Sequence, residues 1–424
     1  MEIVKKRLHQ LGSWEYTGLC LLVLITLIMH FSTIMQPNEP VFDEKYYVTD
    51  ARHILQGEGT ARIEHPPLGK LFITSGMFLF GDNPFGWRFF SVFFGTICII
   101  LFYLICRQLT MSKESSFLAA FLLSVENLCF VQASVAMLDV YSLAFMLLSF
   151  WLYLKGRYLI SGISVGLSAL AKLSGALALP VILLHWFFTK RVRPRKFLSA
   201  MLLAPVSFLL LMPLFELIIW RNASWHPSFN PIVQMGTMLR ASMSTFARYP
   251  SEMLSRPWEW ILRPEIITYW VDPQYIGMIS PSIWALIIPV VFYITFRAIK
   301  GSSAAIFGLS WFTSTYLIWI PVSLITDRIS YIFYFYPTIG AICIGLGLGL
   351  SQLSEIGRTG QTGKLRKIAR LAIPVYLLLH LAAFVMLAPV SYWWVVPSCI
   401  VLYVYARRLL GAGKSPSLEG QYST

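Results

Sequence analysis

The chain has 424 residues, enough for two or three soluble domains, yet 57% are hydrophobic and 13% charged, with a mean hydropathy of +0.66. A soluble core cannot hide that much apolar surface, so composition excludes ordinary globular, disordered and collagen-like chains and makes the bilayer the solvent. The formal net charge of +14 lies in short segments between apolar runs, which reads as a topology signal and not as a nucleic-acid surface.

In chain order, Lys5, Lys6 and Arg7 precede an apolar stretch from Tyr16 to Met35. It is long enough to cross a membrane and Gln36-Pro37-Asn38 offers no cleavage site, so it is expected as a retained first helix with a cytoplasmic N-terminus. Further apolar runs at 87–106, 116–134, 137–154, 158–171, 173–188, 197–219, 280–296, 303–322, 329–350, 371–388 and 390–406 bring the expectation to about twelve transmembrane helices. With the N-terminus inside, 22 of the 34 Lys and Arg fall at that terminus, in short cytoplasmic loops or in the C-terminal segment, as the positive-inside rule requires. The six cysteines lie within or at the ends of apolar stretches without a CxxC, and so read as buried hydrophobes. The expected organisation is one all-α membrane domain over 1–410 and a polar cytoplasmic tail over 411–424.

Two long connections, 36–86 and 221–280, both fall outside. Loops of that length are uncommon unless functional. In the first, Tyr47, Ala51, Ile54 and Leu55 share one helical face, and Leu68, Leu71, Phe72, Ser75 and Leu79 share another. Gly57 and Gly59 separate the two, and Pro66-Pro67 suits entry to the second. Two amphipathic interfacial helices are expected there.

Ionisable groups at membrane depth or in these loops are costly unless used. Asp43-Glu44 is either a helix cap or a carboxylate base tuned by its surroundings. His65, before two prolines, is either a turn residue or an imidazole fixed where it can hydrogen-bond an acid or phosphate. Arg88 either snorkels or clamps a phosphate, and Asp139 is either a cap at an external turn or one of the substrate-binding groups that converge there on a lipid headgroup. Lys172 joins two short apolar segments between cytoplasmic clusters. A helix of about 14 residues rises only about 21 Å, so its ammonium is expected below the outer surface, where it needs an anion. Arg328 is a further cation or a partner of Asp327. No GxxxxGK[ST] loop or HExxH helix occurs, leaving nucleotide hydrolysis and zinc proteolysis unsupported. The residues by themselves indicate a membrane enzyme or transporter that handles a lipid-linked phosphate.

Phe42-Asp43-Glu44-Lys45, Glu64-His65-Pro66-Pro67-Leu68-Gly69-Lys70-Leu71 and Asn83-Pro84-Phe85-Gly86-Trp87-Arg88 resemble the protein O-mannosyltransferases, membrane glycosyltransferases of the GT-C type. The likeness continues at Leu138-Asp139, Ala171-Lys172-Leu173-Ser174-Gly175, Ser255-Arg256-Pro257-Trp258-Glu259-Trp260, Tyr269-Trp270 and Asp327-Arg328-Ile329 to Tyr336-Pro337. It implies inverting transfer of a sugar, typically mannose, from a polyprenyl phosphate to Ser or Thr hydroxyls of exported proteins at the external face of the cell membrane. Carried over by residue, Asp43 is the general base, Glu44 and His65 orient the acceptor or headgroup, Arg88 binds phosphate, and Lys172 and Arg328 assist. The resemblance implies no required metal, although related GT-C enzymes with other donors use one. The chain lacks room for the β-trefoil module of eukaryotic members and in size resembles prokaryotic ones. The alternatives are a GT-C enzyme that modifies a lipid or cell-wall glycan, of the aminoarabinose-transferase kind, and an anionic-lipid transporter, for which no inverted repeat is visible.

Overall fold

The computed structural model describes residues 14–190, 193–224, 228–243, 255–327, 330–359 and 363–411. Lys5, Lys6, Arg7 and the polar tail beyond residue 411 lie outside the described residues. The chain opens with α1 (Trp14–Thr33), α2 (Glu44–Gln56), α3 (Pro67–Phe80), α4 (Pro84–Gln108), α5 (Lys113–Ser124) and α6 (Asn127–Ser134). It continues with α7 (Leu138–Leu154), α8 (Tyr158–Ala171), α9 (Ala178–Thr189), α10 (Pro194–Met201), α11 (Leu203–Ile219) and α12 (Pro231–Met243). A hairpin of β1 (Ile267–Trp270) and β2 (Tyr275–Gly277) leads to α13 (Ile287–Ile299), α14 (Ser303–Phe312), α15 (Trp319–Thr326), α16 (Ile339–Thr359), α17 (Gly363–Leu387) and α18 (Tyr392–Gly411). One hydrophobic core takes residues from Leu19 in α1 to Ala406 in α18.

Among the described residues, seven helical stretches are long and apolar enough to cross a membrane, or eight if the bent pair α5–α6 is one span. The protein is therefore a multi-pass membrane protein. The segments α3, α7, α8, Leu173–Thr189 and α13 are apolar but shorter. Length thus supports seven or eight of the roughly twelve spans expected from hydropathy.

The run at 116–134, read from the sequence as one helix, is broken between α5 and α6 by a 59° bend. Glu126 is the reason. Its buried carboxylate accepts the Cys129 N–H at 2.7 Å, capping α6, and the Ser280 N–H at 2.7 Å, tying down the segment after the hairpin. A carboxylate so placed holds the chain in a corner that apolar periodicity does not reveal.

The two expected helices of the first loop form, and Tyr47, Ala51 and Ile54 of α2 are buried as expected. The buried face of α3 differs. Leu68 is buried, but Ser75 and Leu79 face outward and Gly69, Ile73, Gly76 and Met77 face inward. Glycine decides this. A Cβ on Gly69 would lie 2.7 Å from the Ala171 carbonyl oxygen, and one on Gly76 would lie 2.2 Å from that of Gly86. The helix thus packs backbone to backbone against the residue that precedes Lys172. Gly69→Ala is expected to cost about 1–3 kcal/mol through overpacking, seen as a lowered thermal midpoint in detergent.

Candidate active site

Asp43 begins the site. It occupies the N-cap position of α2, yet its side chain caps nothing and has no hydrogen-bond partner among the described residues. The capping reading of Asp43 therefore fails on geometry. Burial raises its carboxyl above the ordinary carboxylate value; Lys172 pulls it down, Asp139 pushes it up, and Lys45 and Arg62 pull it down weakly. Phe42, the preceding residue, has φ +46°, a left-handed conformation that a bulky residue adopts only when held there. Its ring stacks on Tyr269 of β1 with centroids 4.8 Å apart. Strain next to an unpartnered acid is the pattern of a functional position.

Glu44 and Arg88 behave otherwise, and both expectations for them are corrected. Both are fully buried. Arg88 Nε and Nη2 donate to Glu44 at 2.9 and 2.8 Å, and the remaining N–H groups donate to the carbonyls of Ile34, Gln36, Pro37 and Glu39 at 2.9–3.1 Å. Glu44 also accepts the N–H groups of Val41 at 2.9 Å and Ala136 at 2.8 Å. Arg88 has no direction left for a phosphate, and Glu44 has no lone pair turned toward a substrate. The pair instead locks the chain from Ile34 to Glu44 against α4 and the start of α7. Asp43 and Arg88 thus share no hollow; Glu44, next to Asp43, transmits the anchorage.

Lys172 lies at the break after α8, in extended backbone, and is buried. Its ammonium donates to both carboxylate oxygens of Asp139 at 2.8 Å. Asp139 is thus the counterion of Lys172; the cap position of α7 belongs to Met137. Nζ also faces the rings of Phe333 and Tyr334, at 5.1 and 5.6 Å. Lys172 lines a groove of about 350 Å³ whose walls include Leu177, Ile318 and Val322 together with Glu64, His65 and Tyr334. A cation and aliphatic walls in one groove match a phosphate ester with a hydrocarbon tail.

His65 shares a 3.2 Å hydrogen bond with the Tyr47 hydroxyl, so the imidazole is fixed over α2 as the prolines suggest. Burial, followed by the fields of Asp43 and Asp139, holds the Tyr47 phenol well above its ordinary value, keeping it a donor. Tyr269, similarly raised by burial and the same two acids, accepts the Gln132 amide at 2.7 Å. Lys70, given no role by sequence reasoning, is fully buried and pins the loop bearing His65: it donates to Thr60 at 2.8 Å and to the Arg62 carbonyl, 3.5 Å from Asp50. A lysine one residue after a close-packed glycine was the available signal. Asp327 pairs with Arg256, while Arg328 lies outside the described residues. Gly162-Ile163-Ser164-Val165-Gly166 has the spacing of a serine nucleophile elbow but is helix interior: Ser164 donates to the Ile160 carbonyl, and Gly162 and Gly166 pack on α10 and α11. Among the described residues, no three His, Cys, Asp or Glu side chains gather as a metal-binding set.

The fold is that of the GT-C-type membrane glycosyltransferases. The structure of the Saccharomyces cerevisiae protein O-mannosyltransferase Pmt1-Pmt2 complex bound to the sugar donor superposes with a TM-score of 0.71 at 12% identity, covering 88% of this chain and 90% of that one. ArnT from Cupriavidus metallidurans bound to undecaprenyl phosphate gives 0.55 at 18% identity, covering 92% and 76%. The family model for dolichyl-phosphate-mannose-protein mannosyltransferase matches residues 20–226. The polyprenol-phosphate-mannose–protein mannosyltransferase of Corynebacterium glutamicum is 22% identical over 93% of this chain and 92% of its own length. That of Mycobacterium tuberculosis is 33% identical over 150 residues, 34% of this chain and 29% of its own length. Over residues 20–226, a little under half of its length, the chain is thus similar to the protein O-mannosyltransferases.

Proposed function

We propose that the protein transfers mannose, with inversion, from a polyprenyl phosphate to Ser or Thr hydroxyls of exported proteins. The observation that carries this reading is the Asp43 carboxylate, without a hydrogen-bond partner among the described residues and within the field of Lys172, which lines the apolar groove. The named activities of the relatives and the donor-bound structural neighbour support the substrate pair. Asp43 takes the acceptor hydroxyl proton as that oxygen attacks the anomeric carbon; the bond from that carbon to the phosphate oxygen breaks, and polyprenyl phosphate leaves with its charge beside Lys172. The proton stays on Asp43 until solvent removes it, and a single displacement inverts the centre. Tyr47 and His65 flank the donor headgroup. Since the phosphate is already a good leaving group and Lys172 supplies positive charge, no metal is required, and activity is expected to survive EDTA.

The described chain acts as one catalytic domain in the cell membrane. The proposed topology has both termini cytoplasmic and the site at the external face, and its support is the clustering of Lys and Arg in the opposite loops. The test is to incubate membranes containing the protein with labelled polyprenyl-phosphate mannose and a Ser/Thr-rich peptide. Peptide labelling is expected; label appearing only in lipid or glycan would transfer the assignment to the ArnT-like alternative. Lys172→Gln is expected to raise the KM for donor about 10- to 100-fold, the worth of one charge-assisted hydrogen bond. Unchanged donor kinetics would remove Lys172 from the phosphate site.

A further inference from the structure

A second cationic hollow lies far from Asp43. It has a volume of about 480 Å³ and is bordered by Arg358 of α16, Arg370 of α17 and Arg407 of α18. Along α16 the rise from Ile339 to Arg358 is about 28 Å, so the hollow and the aromatic wall of the active site lie at opposite ends of that helix.

Snorkelling accounts for one arginine at a helix end, but it turns side chains apart toward water. Here exposed arginines from three helices line one space, and none forms an ion pair among the described residues. Two are held in place. Arg358 Nη2 donates to Ser354 Oγ at 3.0 Å, and Arg370 Nε donates to the Gly357 carbonyl at 2.6 Å. Gly357 leaves the passage Arg370 needs, since a Cβ there would lie 3.1 Å from its Cγ. The paired N–H forks of Arg370 and Arg407 make no protein hydrogen bond among the described residues. A turn or two deeper, Ile373 and Leu377 line the same space with hydrocarbon. Converging guanidinium groups without a carboxylate repel one another unless an anion lies between them, and the planar fork suits phosphate.

We propose that this hollow binds the phosphate of an anionic phospholipid, with its acyl chains along Ile373 and Leu377. Basic pockets between transmembrane helices take such headgroups. Under the proposed topology the lipid belongs to the cytoplasmic leaflet, and its binding is independent of sugar transfer.

The test uses the full chain in detergent, with thermal midpoint and lipid retention by native mass spectrometry as readouts. Phosphatidylglycerol, phosphatidylcholine and inorganic phosphate are added separately. Phosphatidylglycerol is expected to raise the midpoint and to be retained, and the other two to do neither. Arg407→Gln, which removes a side chain without a hydrogen bond or ion pair among the described residues, should weaken phosphatidylglycerol retention about fivefold and leave the lipid-free midpoint unchanged. Combined with Arg358→Gln and Arg370→Gln the loss should reach about 100-fold. Lys172→Gln should leave the effect intact. Equal stabilisation by phosphatidylcholine, or full retention in Arg407→Gln, would overturn the proposal. An equal response to inorganic phosphate would assign the hollow to a free anion, and loss in Lys172→Gln would place the lipid in the active-site groove.

Discussion

Asp43→Asn is expected to fold, to bind donor with a nearly unchanged KM, and to transfer sugar about 10²- to 10⁴-fold more slowly, the usual contribution of a general base. The substitution removes proton acceptance and preserves shape. Two further consequences follow from the raised pKa. The base works only when ionised, so the rate should fall as pH drops through a value above the ordinary carboxylate range. The native state also holds this proton more tightly than the unfolded chain. The charged form therefore lowers stability, fully so above the folded-state value, and the cost fades as pH falls through it. Asp43→Asn should accordingly melt above the unmodified protein at neutral pH and lose that advantage in acid. A variant with full transfer activity would remove Asp43 from the base role.

Arg88→Ala should damage stability more than any substitution at the groove. Leaving Glu44 ionised and unpaired in a fully buried site costs about 3–5 kcal/mol. The expected signs are a large fall in the thermal midpoint and loss of activity in proportion to lost folded protein. The double variant Arg88→Met with Glu44→Leu should recover much of the midpoint, because no charge is left stranded. It should not recover activity, since the chain from Ile34 to Glu44 loses its fastening and Asp43 its position. A phosphate clamp would behave differently: Arg88→Ala would stay stable and lose donor affinity alone.

The sequence made the membrane class legible because apolar runs and basic loops are direct consequences of solvation. It also made Lys172 legible, since an ammonium between two short apolar segments must find an anion. That the anion is Asp139, 33 positions earlier, depends on the packing of α7 against α8 and could not be read. Asp43 and Glu44 show the limit most clearly. Adjacent acids look interchangeable in a sequence, yet neighbouring positions on a helix diverge by about 100°. One is swallowed by Arg88, 44 residues away, and the other is left without a partner. Glu126 and Lys70 escaped notice for the same reason: each is satisfied by groups brought near only by tertiary contacts. The face of α3 was misassigned because periodicity counts side-chain hydrophobicity, whereas Gly69 and Gly76 pack by having none.

The Lys172–Asp139 contact has a consequence for selectivity. With its ammonium shared with Asp139, the cleft gives a free phosphate ion one charge-assisted contact and no more. A molecule that also lays a long hydrocarbon along Leu177, Ile318 and Val322 gains solvation energy that a soluble ion does not. Discrimination in favour of a membrane-borne donor would then come from the greasy wall, which adds to the single contact with Lys172 that a soluble anion could also make.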